Sequence, residues 1–118
     1  MSQNPFKING GAVAAVMGDN CIGMASDKRL GVQFQVITDN FHKVYRMQEN
    51  ILLGLSGLAT DCQTLYKKLR YKLNMYRIRE GRDMTANTFA HLVGTTLYSH
   101  RWGLRRYRAF QGAHFLFL

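Results

Sequence analysis

The spacing of the apolar residues changes its period once along the chain, just after residue 56. Up to that point the apolar residues form short runs of strand length, and beyond it they recur at steps of three and four. A period near two is typical of strands, and a period near 3.6 is typical of helices. The sequence therefore predicts an α+β fold in which antiparallel strands come first and two helices follow.

The strand half begins with a predicted hairpin. Gly11–Met17 and Cys21–Ser26 are nearly continuous apolar runs, and the residues between them, Gly18-Asp19-Asn20, favour a turn. Further strands are predicted, from β-branched, aromatic and apolar residues, at Val32–Thr38, Val44–Met47 and Ile51–Ser56. A polar reversal of hairpin length separates the last two.

The helix half is predicted to begin at Thr60, as an N-cap that forms a capping box with Gln63. The apolar face of this first helix comprises Cys62, Leu65, Tyr66, Leu69, Leu73 and Tyr76. Gly81-Arg82-Asp83 predicts a break after it. A second helix is predicted to begin near Thr85 and to end by Gly103.

The first predicted hairpin is apolar on both of its faces, so both faces need to be covered. The two predicted helices can cover only one face of a sheet. We therefore expect another layer, supplied either by a partner or by residues that this sequence lacks.

Composition and spacing exclude several classes of protein. The 118 residues form one domain at most, and the longest apolar run, Ala12–Met17, is far shorter than the roughly 20 residues that cross a bilayer. Without a signal-peptide pattern, we expect a soluble, unexported chain that does not enter a membrane. The histidines have no metal-ligand spacing, and no glycine-rich phosphate loop is present. We expect no metal and no cofactor.

The cysteines, Cys21 and Cys62, lie too far apart for a CxxC pair and do not form a disulfide framework. Each lies within an apolar pattern. We expect both to be reduced, buried thiols.

The net positive charge of the chain arises entirely from its second half. Residues 1–61 carry equal numbers of acidic and basic residues, whereas residues 62–118 carry a net charge of +9. Near the end, aromatic residues alternate with arginines, at Tyr98, Arg101, Trp102, Arg105, Arg106, Tyr107, Arg108 and Phe110. This pattern suits single-stranded nucleic acid, so a small basic nucleic-acid-binding protein is one functional hypothesis, although it has no recognised binding motif.

Five motifs together point to a different function. They are Gly10-Gly11-Ala12-Val13, Ala25-Ser26-Asp27-Lys28-Arg29, Phe41-His42-Lys43-Val44, the block at 54–61, and Glu80-Gly81-Arg82. They closely resemble the β-type subunits of the proteasome core particle, and within them the beta-3 class. The resemblance covers roughly residues 9–103, and the block Gly-Leu-Ser-Gly-Leu-Ala-Thr-Asp at 54–61 is its specific part.

The resemblance implies the N-terminal-nucleophile hydrolase fold, an αββα sandwich of two antiparallel sheets between helical layers. Such a fold contains the additional layer that the apolar hairpin requires. Family members continue with more strands and helices after the second helix. We therefore expect residues 1–118 to be a single incomplete domain holding the N-terminal half of the fold. The family pattern stops after about residue 103, so we expect a truncated chain in which residues 104–118 form a divergent tail.

The resemblance also implies where catalytic groups would lie. Active subunits of the family use an N-terminal threonine, whose hydroxyl attacks the peptide carbonyl while its own amine acts as the base. Alignment on Asp27 places Gly10 or Gly11 at that position, and glycine has no hydroxyl. Lys43 aligns with the lysine that tunes the nucleophile, and Gly57 lies near the amide of the oxyanion hole. The relic positions, which lack the nucleophile they would serve, are Gly11, Asp27, Lys43 and Gly57.

Two interpretations of Lys43 are possible: a relic catalytic lysine, or the partner of Asp27 in a charge pair that holds neighbouring strands together. The second is favoured, because removing one member of a buried pair can cost about 3–5 kcal/mol. Gly94-Thr95-Thr96 also resembles a processing site. It lies inside the second predicted helix, where cleavage would destroy the helix, so we expect no nucleophile there.

The resemblance therefore implies a structural β subunit that is not itself an enzyme. It would assemble with other β subunits and the α-subunit ring into a hetero-oligomer, in the cytoplasm and nucleus, for ubiquitin-dependent protein degradation. Its functional surface would then be an interface. Several cationic residues lie mostly off the apolar face of the first helix, at Lys67, Lys68, Arg70 and Lys72. They face either an acidic neighbour or solvent, and both explanations remain open.

Overall fold

The computed structural model describes residues 10–32 and 34–99 in full, together with the backbone of residues 108–109 and 115–117. The described strands are β1 (Val13–Gly18), β2 (Cys21–Ser26), β3 (Leu30–Val32), β4 (Gln35–Thr38), β5 (Val44–Gln48), β6 (Ile51–Gly54), β7 (Arg108–Ala109) and β8 (Phe115–Phe117). The described helices are α1 (Ala59–Glu80) and α2 (Ala86–Ser99). The prediction that antiparallel strands precede two helices is confirmed.

The first hairpin forms as predicted. β1 and β2 pair antiparallel, with Val13 opposite Ser26 and Gly18 opposite Cys21. Asn20 adopts a left-handed conformation, with φ of 52°, which asparagine tolerates better than most residues. The turn chemistry of the sequence is therefore sufficient to predict this reversal.

The single strand predicted at Val32–Thr38 is wrong. The chain reverses there, and β3 and β4 form a second antiparallel hairpin with Phe34 fully exposed at the turn. A Cβ atom at Gly31 would collide with the carbonyl oxygen of Gln35, so the close pairing of the two strands requires glycine. The alternation of apolar and polar residues looks the same in one long strand as in two short ones. The prediction failed because the turn between them lacks the Gly, Pro or Asn that usually marks a reversal.

β5 and β6 form the predicted hairpin, which lies between the β1–β2 hairpin on one side and the helices on the other. On one face, a Cβ atom at Gly54 would lie 2.8 Å from Cγ1 of Val13 and 3.1 Å from Sδ of Met24. On the opposite face Tyr45 stacks on Tyr66 of α1, with ring centroids 4.3 Å apart. The buried core comprises Met47, Ile51, Leu53, Leu55, Cys62, Leu65, Leu69, Leu73, Met84, Phe89, Val93 and Leu97.

The apolar face predicted for α1 packs on this core, but the predicted capping box does not form. The helix begins at Ala59 after Leu58, which makes no side-chain capping bond. Thr60 is already helical, and its carbonyl accepts a hydrogen bond from the Thr64 hydroxyl at 2.9 Å. At the other end, Gly81 has φ of 65°, and its N–H donates to the Arg77 carbonyl, which confirms the predicted break.

α2 has the side-chain cap that α1 lacks. The Thr88 N–H donates to Oγ1 of Thr85 at 3.3 Å, and the Phe89 N–H donates to the Thr85 carbonyl at 2.9 Å. The predicted start is therefore confirmed. The helix is described as far as Ser99, and the predicted end at Gly103 lies outside the described residues. Gly94-Thr95-Thr96 lies inside this helix, as predicted.

The tail, residues 104–118, contributes two short strands to the described structure. β8 pairs parallel with β6, and β7 pairs antiparallel with β8, giving a sheet of order β5-β6-β8-β7. Two parallel strands can be paired only through a long crossover connection. Between β6 and β8 the chain includes α1 and α2, which provide that connection.

The outer face of the β1–β2 hairpin has no cover within the described residues. Its side chains alternate in accessibility, and the exposed set includes Ala14, Val16, Gly23 and Ala25. Within the described residues only one face of the apolar hairpin is covered, and the β5–β6 hairpin rather than a helix covers it. Neither described helix combines the length and hydropathy that a bilayer-spanning helix needs.

The expectation that both cysteines are buried is half wrong. Both are free thiols, but Cys21 is exposed, because it follows the turn directly and lies on the uncovered face of the hairpin. Cys62 is buried in the core. Desolvation, followed by the nearby carboxylate of Asp61, raises the pKa of the Cys62 thiol to about 11.

We predict that the two thiols differ sharply in reactivity. A thiol-specific disulfide reagent should label Cys21 quickly in the native chain and Cys62 only after unfolding, because a buried thiol with a raised pKa supplies little thiolate. Absorbance of the released thiolate measures both phases. In the control Cys21→Ser the fast phase should disappear; if it persists, Cys62 is not buried.

Candidate functional site: a buried lysine between three chain segments

Three chain segments converge on one buried lysine. They are the residues just before β1, the connection between β2 and β3, and the residues just before β5. Hairpin pairing brings the start of β1 beside the end of β2, where Ala12 and Asp27 exchange backbone and side-chain hydrogen bonds. Lys43 directly precedes β5, and the packing of β5 and β6 against the first hairpin directs its side chain to this point.

Lys43 is only 3% exposed, although it carries a charge. Its Nζ donates to Oδ2 of Asp27 at 2.7 Å and to the backbone carbonyl of Arg29 at 2.9 Å. A buried ammonium group is tolerated only when it is paired and hydrogen-bonded. The predicted ion pair between Lys43 and Asp27 is present, and it joins β5 to the end of β2.

Asp27 connects the lysine to the start of the first strand. Its Oδ1 accepts the Ala12 N–H at 2.9 Å, and its own N–H donates to the Ala12 carbonyl at 3.3 Å. The Ala12 N–H and, next, the Lys43 ammonium stabilise the carboxylate and lower the pKa of Asp27 below its ordinary value. The side chain is 38% exposed, so water also solvates it.

Gly11 lies directly against the lysine. A Cβ atom built at Gly11 would lie 2.6 Å from Nζ of Lys43 and 3.3 Å from Oγ of Ser56. The residue has φ of 137°, a conformation that residues with a side chain rarely adopt. The position therefore requires glycine for two independent reasons, its backbone angle and the space that the lysine occupies.

Sequence reasoning missed two members of this cluster. The Ser56 hydroxyl donates to the Gly11 carbonyl at 3.2 Å, and the Arg29 carbonyl accepts from Lys43. The specific block at 54–61 includes Ser56 and could have suggested it, whereas a backbone carbonyl has no sequence signal. Gly57 follows Ser56 with φ of 135°. The structure thus brings Gly11, Asp27 and Lys43 together and places Gly57 one residue beyond the cluster.

The cluster can hold charge and backbone in place, but Gly11 supplies no hydroxyl. Among the fully described residues, no group of His, Cys, Asp and Glu could hold a metal ion, and no buried side-chain nitrogen or oxygen lacks a partner. The histidines His100 and His114 lie outside the described residues. The geometry provides a lysine whose positive charge is balanced by Asp27 and whose hydrogen bonds join three segments.

Comparison with known proteins shows to which family the chain belongs. A model of the family described as "Proteasome subunit" matches residues 8–110. The chain belongs to the proteasome subunit family. The match extends past residue 103, where the resemblance in the sequence stops, and reaches the first strand of the tail.

Several relatives of this family are known by name. The chain is 54% identical over 98 residues to the probable proteasome subunit beta type-3 of Schizosaccharomyces pombe, and 49% identical over 98 residues to proteasome subunit beta type-3 of Oryza sativa. It is 41% identical over 100 residues to proteasome subunit beta type-3 of Saccharomyces cerevisiae. These alignments cover 83–85% of the chain but 48% of each relative, so the chain spans about half the length of the curated relatives that it matches.

We predict that the two members of the ion pair differ in the cost of their removal. Asp27→Asn leaves a buried ammonium group without a counter-charge and should lower the free energy of unfolding by about 3–5 kcal/mol. Lys43→Met leaves a carboxylate that water still reaches and should cost about 1–3 kcal/mol. The double variant should cost less than the sum, as measured by urea unfolding in a double-mutant cycle.

The exposed pair of Arg77 and Asp83, with a separation of 3.3 Å, provides the control. Asp83→Asn should cost less than about 1 kcal/mol, because water solvates both groups. Equal costs for Asp27→Asn and Asp83→Asn would contradict the structural role of the buried pair.

The lowered pKa of Asp27 predicts a specific pH dependence. The pKa of Asp27 is lower in the folded chain than its value of 3.8 in the unfolded chain. The ionised carboxylate therefore stabilises the fold above pH 3.8, and this stability is lost as the pH falls through the pKa of the folded chain. The difference in urea midpoint between the wild type and Asp27→Asn should therefore be constant from neutral pH down to about 3.8 and shrink below it. A difference that grows on acidification would show that the pKa of Asp27 is raised.

Proposed function

We propose that this chain is part of a structural, non-catalytic β subunit of the proteasome core particle, and that it supports ring assembly for ubiquitin-dependent protein degradation. The family membership and the similarity to beta type-3 subunits support the assignment to the core particle. The proposed absence of catalysis rests on one observation, the glycine at position 11 beside Lys43.

The chemistry at Gly11 argues against peptide hydrolysis by this chain. The family mechanism needs a hydroxyl and a free amine on one residue, and glycine supplies no hydroxyl. Lys43 already uses its amine for Asp27 and Arg29, 2.7 and 2.9 Å away. The space for a nucleophile's Cβ atom is occupied by the same amine. A structural role for the lysine explains all three contacts.

The uncovered hairpin supports the αββα sandwich as the fold of the whole subunit. The inner face of the hairpin packs on β6 at Gly54, while Val16 and its neighbours on the outer face are exposed. A helical layer over the outer face would complete the burial that an apolar sheet requires. We assign that layer to the part of the subunit that this chain does not contain.

The proposed partners are other β subunits and the α-subunit ring, in a hetero-oligomer of the cytoplasm and nucleus. The comparisons give no support to the small basic nucleic-acid-binding protein. Of the aromatic residues that suggested it, Tyr98 is described and exposed, whereas Trp102, Tyr107 and Phe110 lie outside the described residues.

We predict that the chain enters the core particle without taking part in catalysis. A tagged chain expressed in Schizosaccharomyces pombe should co-purify with core particles and carry no adduct after treatment with a peptide epoxyketone, because it lacks the reactive threonine. Mass spectrometry of the purified particle measures both results, and the labelled catalytic subunits of the same preparation are the internal control.

Gly11→Thr tests whether Lys43 leaves space for a side chain at position 11. This variant should remain unlabelled and should co-purify less well, because the new side chain overlaps Nζ of Lys43. Gly10→Ala is the matched control, since a Cβ atom there meets nothing within 4 Å and costs only about 1–2 kcal/mol for its left-handed backbone. An epoxyketone adduct on the wild-type chain, or its absence from core particles, would overturn the proposed function.

A further inference from the structure

We propose that a cleft between two hairpin tips binds a small acidic peptide disulfide, of the class of glutathione disulfide, and becomes linked to one half of it through Cys21. The hairpin-tip cleft lies between the turn of the β1–β2 hairpin and the turn of the β5–β6 hairpin. Its polar lining consists of Asn20, Cys21, Arg46, Glu49 and Asn50. The inference goes beyond the proposed function and does not depend on it.

The hairpin-tip cleft has the size of a small-molecule site. Its volume is about 620 Å³, and small-molecule sites in proteins measure roughly 300–1,000 Å³. Met17, Ile22 and Leu52 supply its apolar lining. Asn20 and Asn50, one from each turn, are exposed, so the cleft opens to solvent at the tips. A ligand can therefore enter without unfolding either hairpin.

One wall of the cleft carries a thiol that a dissolved disulfide can reach. Cys21 lines the cleft and is exposed, whereas Cys62 is buried in the core. A Cβ atom at Gly18 would lie 2.7 Å from Sγ of Cys21, so the glycine leaves the space that the sulfur occupies. Access controls the reaction of a thiol with a disulfide. A thiol alone does not select its reagent, so selection depends on the groups that share the cleft.

Two charged groups share the cleft with the thiol and have no ion-pair partner among the described residues. Arg46 is exposed, and its Nη2 lies 3.5 Å from the backbone carbonyl of Glu49, at the limit of a hydrogen bond. Neither the Arg46 guanidinium nor the Glu49 carboxylate belongs to an ion pair within the described part of the chain. Asp19 lies in the turn before Cys21 but does not line the cleft.

These groups match a peptide that carries carboxylates, an amine and a sulfur. A guanidinium group binds a carboxylate through two parallel N–H bonds, so Arg46 receives a carboxylate of the ligand. Glu49 receives its ammonium group, and the amides of Asn20 and Asn50 supply both donors and acceptors for its peptide bonds. One half of glutathione disulfide has all of these groups. A neutral disulfide offers Arg46 and Glu49 no charge to bind.

The covalent step is a thiol–disulfide exchange. The Cys21 thiol gives its proton to the buffer, and the thiolate attacks one sulfur of the bound disulfide. A new S–S bond forms between Cys21 and that half of the ligand while the old S–S bond breaks. The other half leaves as a thiolate and takes up a proton. Cys21 is oxidised and the departing half is reduced, so no further oxidant is needed.

The test compares the rates at which two disulfides modify the native 118-residue chain. Arg46→Gln should slow the reaction with oxidised glutathione about threefold, the effect of losing a partly solvated ion pair. The neutral hydroxyethyl disulfide should react with this variant as fast as with the wild type. Arg79→Gln is the matched control, because it removes an exposed arginine outside the cleft and lowers the net charge equally. Mass spectrometry should place the adduct on Cys21, and native Cys21→Ser should carry none.

S-methylglutathione, which has no disulfide to exchange, separates binding from reactivity. It should slow the reaction of Cys21 with hydroxyethyl disulfide in a saturable manner, and less so in Arg46→Gln. Circular dichroism checks that each variant is folded.

Three results would overturn the inference. Equal slowing by Arg46→Gln and Arg79→Gln would show attraction to the net charge of +9 rather than to the cleft. Equal rates of wild type and Arg46→Gln with oxidised glutathione would show that Arg46 does not bind the ligand. The absence of any protection by S-methylglutathione would show that the cleft does not bind it. None of these results depends on whether the chain enters core particles, so the proposed function is tested separately.

Discussion

The ion pair between Lys43 and Asp27 is the interaction on which the arrangement of the strands depends. Taking an ammonium group out of water is costly, and only a close counter-charge with additional hydrogen bonds makes it tolerable. Lys43 meets that requirement with Asp27 and the Arg29 carbonyl. Because Asp27 also holds Ala12, one buried charge fixes the start of β1, the end of β2 and the start of β5 relative to each other.

The same charge explains the glycine at position 11. The ammonium group of Lys43 lies where a side chain would begin, so the backbone can pass only without one. The Ser56 hydroxyl holds the Gly11 carbonyl from the other side. A catalytic centre and a structural joint both require such a lysine to be buried, to lie at a fixed position and to have its charge balanced by a nearby carboxylate. The structural joint alone is therefore a sufficient physical reason for the positions of Asp27 and Lys43.

The layers of this chain are unequally covered. β5 and β6 have the first hairpin on one face and the helices on the other, which explains why Leu53 and Leu55 are completely or almost completely buried. The hairpin itself has only one covered face, and α1 presents an apolar row on its solvent side. The two surfaces thus expose apolar side chains that the described residues do not cover.

The sequence by itself determined the order of strands and helices, the first hairpin, the break at Gly81, the start of the second helix near Thr85, and the pairing of Asp27 with Lys43. These features follow from local periodicity, from residues with special backbone preferences, or from a family motif. Only the tertiary structure decided that Val32–Thr38 reverses at Phe34, that α1 starts without a side-chain cap, that Cys21 is exposed, and that Ser56 reaches Gly11. The hydroxyl of Ser56 and the carbonyl that it binds are 45 residues apart in the chain, and exposure depends on what other segments cover. Contacts of this kind arise from packing in three dimensions, which no pattern of neighbouring residues encodes.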